Sequence, residues 1–95
     1  MGWIEWPILR PMKHATATAL DRLETLLVQL RRHAALNEKA RGTFYLRSRA
    51  VLHFHEDPAG LFADLRGAED WERFPVTTAV EQAAVLRALE RLFAG

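Results

Sequence analysis

His53 and His55, separated by one residue, are the side chains whose type and spacing most directly suggest chemistry. In a strand, alternate residues leave the same face about 6.6 Å apart, so two imidazoles at that spacing can converge on one metal ion. Behind them, Asp57-Pro58-Ala59-Gly60 carries a type I turn signature: Asp first, Pro second with its φ already set, Gly fourth. If that turn closes a hairpin directly, Asp64 falls opposite His53 and Phe62 opposite His55. His53, His55 and Asp64 then make a two-histidine, one-carboxylate set of the kind that zinc or ferrous iron uses. Glu56 and Asp57 follow immediately as further bases or ligands. The competing reading is a packed histidine pair with an ordinary His–Asp cross-strand contact. His14 and His33 lie far away in sequence and read as surface residues.

The same stretch gathers Arg47, Arg49 and Arg66 with Tyr45 and Phe62. By residue type this resembles a sheet on which bases stack between guanidinium groups. The glycine- and aromatic-rich signature of RNA-binding sheets is missing, and a formal net charge of +1 argues against a dedicated nucleic-acid binder. Nucleophilic catalysis has less support. Ser48 is the only serine, between two arginines, with no glycine-flanked elbow around it.

These residues need elements to position them. From Thr16 to about Leu36, apolar residues at three- and four-residue steps (Leu20, Leu23, Leu27, Leu30, Ala34) predict one amphipathic helix. Thr18 followed by Asp21 is the expected cap. Polar Asn37 to Gly42 ends that helix. Three strands follow as an antiparallel meander, turning at Arg47-Ser48-Arg49 and at Asp57 to Gly60. Phe44, Leu46, Ala50, Leu52, Phe54, Leu61, Ala63 and Leu65 take its inner face. Tyr45, Arg47, Val51, His53, His55, Phe62, Asp64 and Arg66 take its outer face. Gly67 to Val76 reads as an irregular connection that pins Trp71 and Phe74 into the core. Thr78 and Glu81 then form a capping box for a last helix, buried through Val85, Leu86, Leu89, Leu92 and Phe93.

Two amphipathic helices and a sheet with one apolar face have one economical arrangement. Both helices lie on the inner face, giving an α+β fold: a two-layer α-β-β-β-α sandwich with a three-stranded antiparallel meander. The outer face is then too aromatic for solvent alone. The segment Trp3-Ile4-Glu5-Trp6-Pro7-Ile8-Leu9 is equally apolar, and it is expected to lie across that face, of its own subunit or of a partner in a homodimer. Met12-Lys13-His14 also reads as a natural start, which would make residues 1–11 an upstream extension.

Composition bounds the rest. Ninety-five residues, 49% hydrophobic and 26% charged, describe one soluble globular domain: an apolar arm over 1–11 and a compact core over 12–95. The absence of cysteine excludes disulfides, thiol catalysis and Cys-based metal sites. No apolar run reaches the ~20 residues of a membrane span, and the N-terminus lacks signal-peptide order. The expected address is cytoplasmic. Basic residues dominate up to Arg49 and acidic ones thereafter, a polarity that favours self-association.

The run Gly42 to Asp64, followed by Phe74-Pro75-Val76-Thr77-Thr78 and the Glu81-Gln82 helix start, resembles a group of small conserved hypothetical bacterial proteins. The likeness covers about Met12 to the C-terminus. That group has no assigned activity, so the resemblance implies a compact bacterial domain and transfers no role to any residue. The residues themselves favour a non-enzymatic module without a cofactor, whose outer face binds itself, another protein or a small ligand. An enzyme centred on His53, His55 and Asp64, with a divalent metal, is the rival reading, and single-stranded nucleic-acid binding is the third.

Overall fold

The computed structural model describes residues 12–94. In chain order these form β1 (Lys13–His14), α1 (Ala17–Arg22), α2 (Glu24–Arg31), β2 (Leu36–Ala40), β3 (Thr43–Leu46), β4 (Arg49–Asp57), β5 (Gly60–Arg66), β6 (Trp71–Pro75) and α3 (Ala79–Ala94). The fold is α+β, but the three expected strands sit at the centre of a six-stranded antiparallel sheet. Strands β2 to β6 lie side by side in sequence order, and β1 pairs with β4. The apolar arm expected over residues 1–11 lies outside the described residues.

The central hairpin has the register that its turn dictates. Asp57 pairs with Gly60, His55 with Phe62 and His53 with Asp64. Asp57 Oδ1 accepts a hydrogen bond from the Ala59 amide at 2.8 Å, the Asx closure that favours aspartate at this position. A clash reinforces the glycine: a Cβ at Gly60 would come within 2.5 Å of Thr77 Oγ1, the oxygen that accepts the Leu61 amide.

Both added edge strands carry compositions that hide them. Strand β2, Leu-Asn-Glu-Lys-Ala, was expected as the polar end of a helix, and β6, Trp-Glu-Arg-Phe-Pro, as an irregular turn. Charged residues and proline are what an edge strand tolerates, because they discourage further pairing. The first helix therefore ends at Arg31 rather than near Leu36, and it bends at Leu23 (φ −100°) into two segments. Arg31 donates to Glu38 on β2 and to Glu24, which fixes the helix end against the strand.

Capping also differs from expectation at this helix. Thr16 is the N-cap, its Oγ1 accepting from the Ala19 amide at 3.3 Å, and Thr18 lies inside the helix. Pairing of β1 explains the choice. Ala15 N donates to Phe54 O, and Thr16 N donates to Glu56 Oε2 at 2.6 Å, so the chain leaves the sheet at Thr16 and turns helical at once. At α3 the expected capping box is present in both directions, Thr78 N to Glu81 Oε1 and Glu81 N to Thr78 Oγ1.

One core joins these layers. Leu20, Leu23, Leu26, Leu27 and Leu30 from the first two helices and Val85 and Leu89 from α3 cluster with Phe44, Leu52, Phe54, Leu61, Ala63 and Leu65 of the sheet. Val51 belongs to this cluster too, against the expectation that it faces outward. The β3–β4 register shifts between Phe44 and Tyr45, leaving Val51 as an extra residue without a partner on β3. Such a bulge breaks strict alternation. It also sets Ala50 opposite Tyr45, on that residue's face and away from the inner set to which it was assigned.

Candidate functional site

Strand parity turns His53 and His55 away from the core, since Phe54 between them is 3% exposed within it. What surrounds them is built by three other strands. Strand β1 pairs His14 directly with His55, which brings a third imidazole onto the same face. Strand β5 supplies Asp64 opposite His53, and β6 sets Arg73 opposite Asp64 and Trp71 opposite Arg66.

The result is a continuous row of rings and a guanidinium across the sheet. Arg66 lies over the Trp71 ring at 4.8 Å, and Trp71 is 4.8 Å from His53 between ring centroids. His53 is 4.7 Å from His55, and His55 is 4.9 Å from His14. Trp71, expected in the core, is half-buried on this outer face. Phe74, three residues on, does pack against the core. The strand β6 that sequence reading missed is the reason: alternation separates Phe74 from Trp71.

Within the row, His53 Nδ1 and His55 Nε2 share a hydrogen bond at 2.7 Å. The same His55 Nε2 is 3.2 Å from Asp64 Oδ2. Asp64 is gripped by Arg73 through both oxygens, Nε to Oδ1 at 2.8 Å and Nη2 to Oδ2 at 3.1 Å. Asp64 and His55 are the buried polar side chains among the described residues, 3% and 7% exposed. His55 Nδ1 is buried without a hydrogen-bond partner.

Electrostatics keep these rings neutral. Burial pushes the His53 pKa below its ordinary value, and the neighbouring His55, His14 and Arg73 charges push the same way against the pull of Asp64. His55 is lowered too, again chiefly by burial, with His14 and Arg73 adding to it; Asp64 and the Met12 backbone oppose the shift.

The remaining candidates have other employment. Glu56 caps the turn into α1 through the Thr16 amide, which holds its carboxyl below the usual range. Asp57 closes the hairpin turn. Lys39 Nζ stands 5.0 Å from the Tyr45 ring centroid. Phe62 is half-buried between His55 and Pro75 in the register. Arg47 adopts φ 58° at the β3–β4 turn. With Ser48, Arg49 and Arg66 it borders a cleft of about 260 Å³ floored by Leu46, Val51 and Leu92, away from the histidines. His33, expected as a simple surface residue, packs on Phe93 and lies 3.3 Å from Glu90.

His14 is the residue that sequence reasoning passed over. A two-residue strand carries almost no periodic signal, and only its pairing with β4 reveals the approach. No helix among the described residues is long and apolar enough to cross a membrane. No family model matches the chain, and neither a curated protein nor a solved structure shows detectable similarity to it.

Proposed function

We propose that this chain is a small bacterial, cytoplasmic, non-enzymatic binding module whose working surface is the outer sheet face around His53, His55 and Trp71. The observation that carries the reading is the unbroken row Arg66, Trp71, His53, His55, His14, with a buried carboxylate beneath it. Burying ionisable groups costs stability unless each is fully paired. A face meant only for water gains nothing from that cost, whereas a binding face uses it to hold polar atoms ready in a dry setting. A small ligand fits the row better than a broad protein interface, because the imidazole nitrogens of His14, His53 and His55 converge. Association of two copies through this face is the runner-up within the same reading.

The test is an amide and imidazole NMR titration of the full chain against zinc, inorganic phosphate and a short single-stranded oligonucleotide, with a protein dilution series alongside. Shifts concentrated at His14, His53, Arg66 and Trp71 support the binding face. Shifts confined to the helices, or none with any probe, overturn it. Dilution-dependent shifts on this face, with a solution mass of two chains that falls when residues 1–11 are removed, identify the occupant as a second copy.

One observation favours a second reading, an acid–base enzyme on His53, His55 and Asp64. Their two contacts, 2.7 and 3.2 Å, meet at one atom, His55 Nε2, and gather two imidazoles and a carboxylate where a proton can be exchanged among them. Hydrolysis of an activated ester that disappears in His53→Gln is the outcome that would favour it.

A further inference from the structure

We propose that His14, His53 and His55 bind one divalent transition-metal ion of the zinc class. The proposal rests on the binding-face reading and names the ligand of that face.

The geometry comes first. One nitrogen from each of the three rings lies within 4.8 Å of the other two. The closest pair, His53 Nδ1 and His55 Nε2, is 2.7 Å apart. Tetrahedral zinc with Zn–N bonds of about 2.0–2.1 Å sets its ligand nitrogens about 3.3 Å from one another. That separation falls between the closest and the widest spacing of the trio, so small ring rotations suffice. A cation would take the place of the proton now shared between His53 and His55.

The supports are built in. His53 and His55 stand on β4, which is paired on both sides, by β3 and β1 along one edge and by β5 along the other. His14 is fixed by its register with His55. Depressed pKa values leave the rings of His53 and His55 with free lone pairs at neutral pH, as metal binding requires. Asp64, anchored by Arg73, places a carboxylate oxygen 3.2 Å from His55 Nε2, adding negative charge beside the ion.

Ligand type selects the ion. Three imidazoles and no thiolate suit zinc, nickel or cupric copper, and disfavour magnesium and calcium, which prefer oxygen ligands. His14 is exposed and leaves a side open for entry and for a further ligand.

The experiment uses the untagged full chain after treatment with a chelator. Zinc is titrated calorimetrically, and cobalt is followed by its visible absorption. Expected are one equivalent of zinc, a tetrahedral cobalt spectrum and a raised melting temperature. His14→Ala, an exposed change that leaves the fold intact by circular dichroism, should weaken zinc binding by roughly 100-fold, at the upper end of what disturbing a metal's surroundings costs. His53→Gln should do the same, and His33→Ala should not. Failure to bind zinc, or unchanged affinity in both His14→Ala and His53→Gln, overturns the site. If zinc fails while phosphate or the oligonucleotide still shifts the Arg66–Trp71–His53 row, the metal site falls and the binding face stands. If no probe shifts the row, both fall.

Discussion

Asp64 and Arg73 form the most exposed-to-risk pair in the molecule, because both charges are largely removed from water and each compensates the other. The Asp64 side chain is 5% exposed and that of Arg73 15%. Removing the guanidinium leaves a buried carboxylate that keeps His55 as its contact at 3.2 Å. Arg73→Ala should therefore lower unfolding free energy by about 3 kcal/mol, the usual cost of breaking a buried pair, measured by urea denaturation. Exposed pairs such as Arg41 with Asp21 carry no such cost. The histidines make a second prediction, on pH. His53 and His55 have folded pKa values below the unfolded value of 6.5. The unfolded chain therefore takes up their protons first as pH falls. Their contribution is complete above about pH 6.5 and is lost as pH drops through the depressed folded values. Burial is the main cause of the lowering, and His14 on β1, Asp64 on β5 and Arg73 on β6 are the charged or titratable groups facing them that modulate it. Metal-free protein should lose urea resistance as the pH falls below about 6.5, and His53→Gln should flatten that slope. The carboxylates of Glu24, Glu38 and Glu56, all lowered, lose their contributions only in the more acid window below 4.5.

At the scale of elements, the start of α1 separates two threonines that look alike in sequence. Thr16→Ala removes a side-chain cap and should cost about 1 kcal/mol, whereas Thr18→Ala should stay within about 0.5 kcal/mol. Equal losses in thermal unfolding would place the cap elsewhere. The pair also shows why edges and termini resist sequence reading. Thr18 with Asp21 matches a local pattern, but Thr16 wins because Ala15 and Thr16 are tied to β4 through Phe54 O and Glu56. Likewise Leu36–Ala40 and Trp71–Pro75 lack the alternation of a half-buried strand, and become strands because β3 and β5 present unpaired edges to them. The central hairpin was legible, since apolar alternation and the Asp-Pro-Ala-Gly turn agree on a single register. Val51 was not, because a bulge has no signature in alternation.

For the whole molecule, a single core spans all three helices and the sheet, so a cavity at its centre should be felt everywhere. Leu52 is fully buried within that cluster. Leu52→Ala should cost about 2–5 kcal/mol, with helix and sheet signals still unfolding in one transition. Non-coincident loss of the two signals would show that the helices are held independently of the sheet. The chain's own pattern determined the α+β class, the hairpin register, the cap of the last helix and the outward aim of His53 and His55. Each of these follows from side-chain periodicity or from a turn within a few residues. Tertiary pairing alone decided the edge strands, the outer-face place of Trp71, the grip of Arg73 on Asp64 and the arrival of His14 beside His55. Those contacts join residues far apart in the chain, and no local spacing encodes which strand a short segment will choose as its neighbour.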